Sequence, residues 1–280
     1  MLPKFYIDEI ILRALKEDIN YIDVSADTVI PPEQDGAAVF LAKADGVLCG
    51  VDVAMRVFEL LDDSFKAEVF KKDGDTLKKG DIIAKISGKT ALLLKGERTA
   101  LNLLQHMSGI ASATSAAVEL VKGTQTKITD TRKTLPGMRA LQKYAVVCGG
   151  GFNHRFNLSD GAMLKDNHID ACGGIPNAVK IIRGKLGHMV KVEVETRNME
   201  EVAQALEAGA DIIMLDNFDY DMTKQAVAFV DGRAMLESSG GITLETLSGY
   251  AQCGVDIISI GALTHSVKAL DISMKYQKGE

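Results

Sequence analysis

Short apolar runs recur through the second half of the chain, and each is followed by an amphipathic stretch. Four of them recur every 20 to 23 residues: VKVEVET, ADIIMLDN, RAMLESSGG and VDIISIGA. Two more candidate strands, KITDTRKT and AMLKDNH, come earlier. Near-continuous Val, Ile and Met strands that alternate with helices are typical of buried parallel strands in βα units. The pattern therefore predicts an α/β barrel in which at least six strands contribute to one mouth.

The first part of the chain has a different pattern. Apolar residues from Ile7 to Leu15 recur at helical spacing, and β-rich runs broken by Asp-Gly and Lys-Gly turns follow, up to Gly96. A helix is expected over Val51 to Leu61 between these runs. This pattern predicts an α/β sandwich domain over residues 1–108, with the C-terminal tail 268–280 as a candidate to pack on it. Residues 97–121 read as helices with a break near Ser108, so we place the barrel at 109–267.

Polar or glycine residues close each late strand. In βα barrels the active site is built at the carboxyl ends of the strands, so these positions predict a site and the apolar residues before them predict core. The strand-end groups are Glu195-Thr196, Asp216-Asn217, Glu237-Ser238-Ser239-Gly240-Gly241 and Ser259-Ile260-Gly261.

Two of these strand ends have the composition of phosphate-binding loops. Ser239-Gly240-Gly241 and Ser259-Ile260-Gly261 each follow a strand and precede a helix, which leaves backbone N–H groups available. Either loop alone is more often a tight turn. Two such loops after consecutive late strands are the usual phosphate cradle of a βα barrel, and we expect that role here.

Two carboxylates, Glu195 and Asp216, end successive strands. They would share one rim, close enough to meet Mg²⁺ or ribose hydroxyls. The alternative is a pair of salt bridges on the barrel rim. Glu193 lies two residues before Glu195 and shares its face by strand alternation, so we expect it to point inward.

Cations are concentrated between Lys127 and His168, where seven Lys or Arg stand against three Asp in a chain of net charge -6. A nucleic-acid-binding domain is normally basic throughout, so the contrast favours a local pocket for a polyanionic small molecule. Arg supplies bidentate forks for carboxylates and Lys supplies point charges for phosphates. The candidates are Arg132, Lys133, Arg155 and Lys165.

Several other charged residues have two readings. Arg139 and Lys143 follow Pro136 on a predicted helix that ends at Gly149, and a solvated helix face is as good an interpretation as a site. His154 stands next to Arg155 and could hydrogen-bond a carboxylate, although a lone histidine is often structural. The same holds for His168 and His265. Arg98 begins a helix in the other domain, so it would reach the barrel mouth by folding over it or from a neighbouring subunit.

The composition limits the number of domains and the cellular compartment that we expect for this protein. The 280 residues are 46% hydrophobic and 25% charged, which allows one large or two moderate domains. No apolar run reaches the roughly 18 residues of a membrane span, and the start MLPKFYIDEI is acidic where a signal peptide is basic. The four cysteines form no CxxC pair, so neither a zinc site nor a disulfide framework is expected. We expect a cytoplasmic protein with reduced thiols.

Seven motifs carry a resemblance to a known family: ERTALNLLQHMSGIAS, DTRKTLPGMRALQKYAV, GGGFNHRFNLSDGAMLKDNH, VEVE, LDN, ESSGGI and SIGALTH. The resemblance spans nearly the whole chain and is to the quinolinate phosphoribosyltransferase family, also called nicotinate-nucleotide pyrophosphorylase (carboxylating). It implies an N-terminal α/β sandwich joined to an open, seven-stranded, TIM-barrel-like α/β barrel of the type II phosphoribosyltransferases. It also implies a homodimer or larger assembly with active sites at subunit interfaces.

The implied reaction is that of a pentosyltransferase in NAD biosynthesis. Quinolinate and phosphoribosyl pyrophosphate, with Mg²⁺, give nicotinate mononucleotide, pyrophosphate and CO₂. The resemblance assigns quinolinate binding to Arg132, His154 and Arg155, with Arg98 from the neighbouring subunit. It assigns the sugar-phosphate and pyrophosphate side to Lys133 and Lys165, the ribose and its metal to Glu195 and Asp216, and the 5′-phosphate to Ser239, Gly240, Gly241, Ser259 and Gly261.

Three alternatives stay open at the level of sequence. A divergent transferase of the same fold would act on another carboxylate-bearing base or sugar phosphate. A barrel lyase or aldolase would form a Schiff base on Lys133 or Lys165. The segment DGDTLKKGDIIAKISG is similar to the hairpins of biotinyl and lipoyl carriers, so a carrier module modified at Lys78 or Lys79 is the third.

Overall fold

The computed structural model describes residues 2–277 and divides the chain into two compact units. The first unit combines the residues up to Ser115, Thr134–Gly150 and the residues from Leu263 onward. The second consists of Ala116–Lys133 and Gly151–Ala262. The bounds of these units differ from those of the expected domains 1–108 and 109–267, because residues 134–150, which include one helix between two barrel strands, belong to the first unit.

The first unit is built on an antiparallel sheet. Its four strands are hydrogen-bonded in the order β12 (Ile272–Gln277), β1 (Asp35–Ala42), β5 (Ile82–Lys89) and β3 (Lys66–Val69). A separate two-stranded ribbon consists of β2 (Gly46–Val47) and β4 (Thr76–Leu77). Apolar side chains of the sheet and helices form one core, in which Phe58 stacks on Phe65 at a centroid distance of 5.3 Å. The elements in chain order are α1 (Lys4–Ile19), α2 (Ala26–Val29), β1 (Asp35–Ala42), β2 (Gly46–Val47), α3 (Val51–Glu59), β3 (Lys66–Val69), β4 (Thr76–Leu77), β5 (Ile82–Lys89) and α4 (Thr90–Leu120).

The helix α4 corrects two expectations. The segment from Thr90 to Gly96 was expected to be β-rich, and a break was expected near Ser108. Instead the chain forms one continuous helix of 31 residues. The apolar run Ala91–Leu94 has no β-branched residue and leads into good helix formers, so helical propensity decides it. Gly109 lies inside this helix, and the chain at Lys268 packs so closely against it that a Cβ at position 109 would collide with the Lys268 carbonyl.

The C-terminal tail does pack on the N-terminal sheet. Strand β12 (Ile272–Gln277) pairs antiparallel with β1, in a register that joins Ala42 to Ile272 and Ala37 to Gln277. Ile272 and Met274 are buried and belong to the core of the first unit. The last residues of the expected tail, 278–280, lie outside the described residues.

The second unit contains the predicted parallel strands. All six candidates are present, hydrogen-bonded in the order β6-β11-β10-β9-β8-β7. A parallel bridge between Thr129 and Phe152 extends the sheet beyond β6, at the place where a seventh strand would stand. The strands are β6 (Lys127–Thr129), β7 (Ala162–Leu164), β8 (Val192–Thr196), β9 (Ile212–Asp216), β10 (Met235–Ser239) and β11 (Ile257–Ser259).

Helices alternate with these strands, as the sequence pattern predicts. The remaining elements are α5 (Arg139–Cys148), α6 (Asp166–Ala171), α7 (Ile175–Arg183), α8 (Met199–Glu207), α9 (Tyr220–Val230), α10 (Leu244–Gln252) and α11 (Ala262–His265). Strand β8 is buried along most of its length, as expected of a parallel strand covered on both faces. Among residues 2–277, no helix has the length and apolar character needed to cross a membrane.

Candidate active site

A cavity of about 400 Å³ lies in the second unit, at the carboxyl ends of its strands. This volume is in the range of small-molecule sites. Side chains from all six strand ends contribute to it, because parallel strands bring their carboxyl ends to one edge of the sheet. The lining residues are Thr131, Arg132, Lys133, His154, Arg155, Met163, Lys165, Glu195, Met214, Asp216, Glu237, Ser239, Gly240 and Ser259.

The sheet register explains why the predicted polar groups meet. Asp216 pairs directly with Ser239 between β9 and β10, and Glu195 pairs with Met214 between β8 and β9. Each polar residue follows buried apolar residues of its own strand, so the apolar positions hold the strand in the core and its end opens into the cavity. The sequence prediction of a common rim is therefore realised in the folded chain.

His154 lies between two buried glutamates. Its Nε2 is 3.3 Å from Glu193 Oε2 and 3.4 Å from Glu237 Oε2, while its backbone N–H donates to Asp130 Oδ1 at 2.9 Å. Both glutamates are almost fully buried. Within the described residues, the Oε1 atoms of Glu193 and Glu237 have no hydrogen-bond partner. Two buried carboxylates that share one imidazole favour a positive charge on that ring.

Burial alone would lower the pKa of His154, but the hydrogen bonds and charges of Glu193 and Glu237 outweigh it and raise that pKa to about 10. One contact opposes this shift, because the Arg155 backbone N–H lies 2.8 Å from His154 Nδ1. Two carboxylates at ion-pair distance in a buried setting outweigh one backbone hydrogen bond. The raised pKa means that the His154 ring is protonated at neutral pH. In that state Nδ1 carries a hydrogen and no longer accepts the hydrogen bond from the Arg155 N–H.

Lys165 and Glu195 face each other across the ends of β7 and β8. Lys165 Nζ lies 3.1 Å from Glu195 Oε2, and the lysine side chain is about half exposed while the glutamate is nearly buried. The backbone N–H of Lys165 donates to His168 Nδ1 at 3.0 Å, which fixes the start of α6. The backbone of Lys165 is thus fixed, while its half-exposed ammonium group can exchange the Glu195 carboxylate for another anion.

Two arginines are close enough to influence each other. Burial lowers the pKa of Arg155, and the nearby charge of Arg132 lowers it further. Arg155 Nη1 donates to the Gly161 carbonyl at 2.9 Å, which holds the guanidinium in place. Arg132 and Arg155 thus form a partly buried wall of like charge, and a ligand with two negative charges would stabilise it.

The two predicted phosphate loops are joined by a hydrogen bond. Ser259 Oγ donates to Ser239 Oγ at 3.1 Å, and both serines line the cavity. Gly240 has φ +95°, and a Cβ there would collide with the side chain of Asn217. Only glycine suits this position, so the glycine predicted for phosphate access is also required by the backbone.

Three predicted site residues do not line the cavity: Arg98, Gly241 and Gly261. Arg98 lies in the first unit, on an exposed face of α4. Gly241 directly follows the lining residue Gly240 and has φ +63°, so it shapes the turn. Gly261 comes two residues after Ser259 in the chain.

The structure distinguishes among the charged residues for which the sequence left two interpretations, namely Arg139, Lys143, His168 and His265. Lys143 is buried in the first unit, so the solvated-face interpretation is wrong for it. Arg139 Nε donates to Thr134 Oγ1 at 3.0 Å. Helix α5 begins at Arg139, three residues after Pro136, so that proline precedes the first turn. His168 and His265 each make a short-range hydrogen bond, and neither lines the cavity.

Sequence reasoning placed Glu237 in the polar end of its strand but gave it no role in the site. Glu237 lies two residues before Ser239 on β10, so strand alternation puts both side chains on the same face. The same rule had already identified Glu193 as inward-facing from Glu195. Applied to β10 it would have found Glu237. Thr131, Met163 and Met214 were also missed, and they carry no comparable signal.

The fold and the cavity define a class: a two-domain α/β protein with a cavity lined by basic side chains and carboxylates at the mouth of a parallel barrel-like sheet. Family models of quinolinate phosphoribosyl transferase match its two parts, the N-terminal domain over residues 23–108 and the C-terminal domain over residues 110–275. The chain belongs to the quinolinate phosphoribosyltransferase family. The carrier-like hairpin, residues 73–88, falls within the matched N-terminal domain, so the carrier interpretation is dropped.

Curated relatives and solved structures agree with the family models. A probable nicotinate-nucleotide pyrophosphorylase [carboxylating] of Bacillus subtilis (strain 168) is 48% identical over 258 residues, which are 92% of this chain and 89% of the relative. The Mycobacterium leprae (strain TN) nicotinate-nucleotide pyrophosphorylase [carboxylating] is 43% identical, over 94% of this chain and 95% of its own. The crystal structure of NadC from Streptococcus pyogenes has a TM-score of 0.95 and 43% identity, and covers 99% of each chain.

Proposed function

We propose that the protein is a quinolinate phosphoribosyltransferase. It transfers the phosphoribosyl group of phosphoribosyl pyrophosphate to quinolinate with decarboxylation, and gives nicotinate mononucleotide, pyrophosphate and CO₂. The observation that carries the proposal is the cavity itself, which combines basic side chains with carboxylates at the strand ends. The high identity of the curated relatives over nearly their whole length supports the same activity.

Quinolinate carries two carboxylates, and the wall formed by Arg132 and Arg155 supplies a guanidinium for each. His154 adds a third positive charge, held by Glu193 and Glu237 beneath it. These groups orient the pyridine ring so that its nitrogen faces the sugar. No side-chain nucleophile is required, because the ring nitrogen is the attacking group.

The phosphoribosyl side is assigned to the remaining lining groups. Ser239, Gly240 and Ser259 would receive the 5′-phosphate, with the turn residues Gly241 and Gly261 leaving space for it. Lys133 and Lys165 would meet the pyrophosphate. Lys165 already holds an anion, Glu195, and exchanges it for the substrate.

The residue types suit the bond changes. The C1–O bond to pyrophosphate breaks with its electron pair, which leaves an oxocarbenium-like sugar that Glu195 and Asp216 stabilise by their negative charge. The pyridine nitrogen forms the new bond to C1 and becomes cationic. The adjacent carboxylate then leaves as CO₂, its electron pair stays on the ring carbon, and that carbon takes up a proton.

Magnesium is proposed as the metal, on the chemistry of the donors. Glu195 and Asp216 both line the cavity and are hard oxygen ligands of the kind Mg²⁺ prefers. Glu195 is engaged by Lys165, and Asn217 Nδ2 donates to Asp216 Oδ2 at 3.0 Å, so both carboxylates are held in place. When bound, Mg²⁺ supplies positive charge at the pyrophosphate leaving group. Removing it with EDTA should abolish turnover, and Mg²⁺ but not Na⁺ should restore it.

The defining experiment follows absorbance and CO₂ release with phosphoribosyl pyrophosphate, Mg²⁺ and either quinolinate or nicotinic acid. Turnover of quinolinate alone is the expected result. A site built for two carboxylates rejects a substrate with one, since an unpaired buried arginine costs on the order of several kcal/mol. Turnover of nicotinic acid, or of neither compound by folded protein, would favour a divergent transferase of the same fold.

A Schiff base on Lys165 is disfavoured by one contact. Lys165 Nζ is engaged by Glu195 Oε2 at 3.1 Å, whereas an imine-forming lysine must present its nitrogen to the substrate carbonyl. Borohydride treatment in the presence of a keto-sugar phosphate should therefore leave the protein mass unchanged.

We propose a homodimer or larger assembly as the active form. Arg98 is exposed and absent from the lining of the cavity in its own chain, which supports its supply by a neighbouring subunit. Light scattering on the purified chain would measure the assembly.

We also propose a cytoplasmic location. Plant relatives are named chloroplastic or mitochondrial, so the location needs its own test, which cell fractionation provides.

A further inference from the structure

Two cysteines that are 99 positions apart in sequence meet in the first unit. The Cys49 and Cys148 sulfurs and a carboxylate oxygen of Asp73 all lie within 4.8 Å of one another. Cys49 is fully buried and Cys148 partly so. These residues have no part in the cavity of the second unit, and the spacing of the cysteines along the chain gives no sign of their proximity.

Three segments are held firmly around this cluster. Cys49 is pinned by Ser108, whose Oγ accepts from the Cys49 N–H at 3.0 Å and donates to the Cys49 carbonyl at 3.1 Å. Asp73 Oδ1 accepts from the N–H groups of Gly50 and Val51 at 2.9 and 3.0 Å, and so fixes the start of α3. The positions of the first sulfur and of the carboxylate are therefore set by backbone hydrogen bonds.

The third segment is the end of α5. Cys148 is its last residue, and Tyr144, one turn earlier on the same face, donates its hydroxyl to Asp73 Oδ2 at 2.9 Å. A carboxylate has about four acceptor positions. Within the described residues three are taken, by Gly50, Val51 and Tyr144, which leaves one for a further ligand.

We propose that Cys49, Cys148 and Asp73 form a binding site for a thiophilic divalent cation, with Zn²⁺ the best fit. Thiolate and carboxylate ligands suit a tetrahedral zinc ion, whose ligand atoms stand about 3.5 to 3.8 Å apart. The three ligand atoms already lie within 4.8 Å of one another, so a contraction of roughly 1 Å brings them to that geometry. Water takes the fourth position, and Tyr144 orients the carboxylate as outer-shell groups do.

A disulfide is the competing use of the same sulfurs. It would need an oxidant and would use only Cys49 and Cys148. The negative charge of Asp73 repels the additional negative charge of a thiolate beside it, whereas a bound cation attracts all three groups. The cation therefore accounts for the whole cluster, and it would join the segment before α3 to the end of α5.

The test titrates the reduced, full-length protein with Co²⁺ and follows the thiolate-to-cobalt absorption in the near ultraviolet. We expect saturation at one equivalent, loss of the band when Zn²⁺ is added, and a higher melting temperature with Zn²⁺. Cys148→Ser should abolish the band. Cys172→Ser, at a cysteine of similar exposure in the other unit, should retain it. Tyr144→Phe should weaken binding about tenfold.

Several results would overturn the proposal. These are a folded, reduced protein that gives no thiolate band, or a band that survives in Cys148→Ser. A third is a protein that takes up no cobalt but loses two titratable thiols when it is treated with a small disulfide. That result would show that Cys49 and Cys148 form a disulfide instead. If buried Cys49→Ser fails to fold, Cys148→Ser and Asp73→Asn decide the question. None of these measurements depends on the proposed catalytic activity.

Discussion

Lys165 Nζ lies 3.1 Å from Glu195 Oε2, so a cation expected to hold pyrophosphate is paired with a carboxylate expected to face the ribose. The pairing keeps both charges in place before substrate arrives. It also means that the substrate phosphates compete with Glu195 for the same ammonium group. The two residues are therefore coupled, and we expect substitution of Glu195 to affect mainly the rate and substitution of Lys165 to affect mainly the affinity for substrate.

Glu195→Gln should lower kcat by about 10²-fold or more, because a preorganised group opposite the developing positive charge is lost. Measured without Mg²⁺, which Glu195 is proposed to help hold, the affinity for phosphoribosyl pyrophosphate should stay equal or rise, because Lys165 no longer has an internal competitor. Lys165→Ala should instead weaken that affinity. Calorimetric binding and steady-state rates measure both, with the exposed Glu200→Gln as control. Weaker binding in Glu195→Gln would contradict the competition.

Arg132→Ala should raise the quinolinate Kd by about 10- to 100-fold, the loss expected for a charge-assisted hydrogen bond. Binding of phosphoribosyl pyrophosphate should stay near normal. Arg132→Lys should recover only part of the loss, since a lysine lacks the bidentate fork. Arg233, which donates to the Phe229 and Val230 carbonyls at the end of α9, supplies the control Arg233→Ala. Equal weakening of both substrates would remove Arg132 from the quinolinate pocket.

His154 should make the protein's stability depend on pH. Its pKa is about 10 in the folded protein against 6.5 as the ordinary value, so the charged ring stabilises the fold fully below about pH 6.5. That contribution is lost as the pH rises from 6.5 through 10. Urea unfolding of wild type and His154→Gln should show a difference in the free energy of unfolding that shrinks over this window.

The ring proton can also be followed directly. The chain has five histidines, so NMR of histidine Cε1 protons can assign His154 by its absence in His154→Gln. Replacing one neighbour, as in Glu237→Gln, should lower the His154 pKa, because a favourable charge is lost. A His154 signal that titrates near 6.5 in wild type would show that the imidazole is neutral at physiological pH.

Arg98 offers a test of shared active sites. Arg98→Ala and Arg132→Ala should each be nearly inactive alone. Mixed by unfolding and refolding, they should recover about a quarter of wild-type activity if Arg98 serves its neighbour's site, because half of the dimers are hybrids with one intact site of two. No recovery in mixtures shown to contain hybrids would mean that Arg98 serves its own chain or no site.

The pattern of apolar residues was sufficient to identify all six parallel strands and the rim that their polar ends form. These are local signals: each strand carries its own apolar run, and each polar end is adjacent to it in the sequence. The helix that crosses the expected boundary at residue 108 was less well predicted, because a break was expected near Ser108 and α4 runs unbroken from Thr90 to Leu120. The close approach of the chain at Lys268, which leaves no room for a Cβ at Gly109, is a contact that no local pattern reveals.

The sequence by itself determined the fold class, the family and ten of the residues that line the cavity, because residue type and periodicity act over short distances along the chain. Only the tertiary structure decided what those residues contact. It placed Glu237 beneath His154, paired Lys165 with Glu195, and brought Cys148 to Cys49. Such relationships arise from strand register and helix packing, which join residues far apart in sequence, and they determine which charges are neutralised and which can bind a ligand.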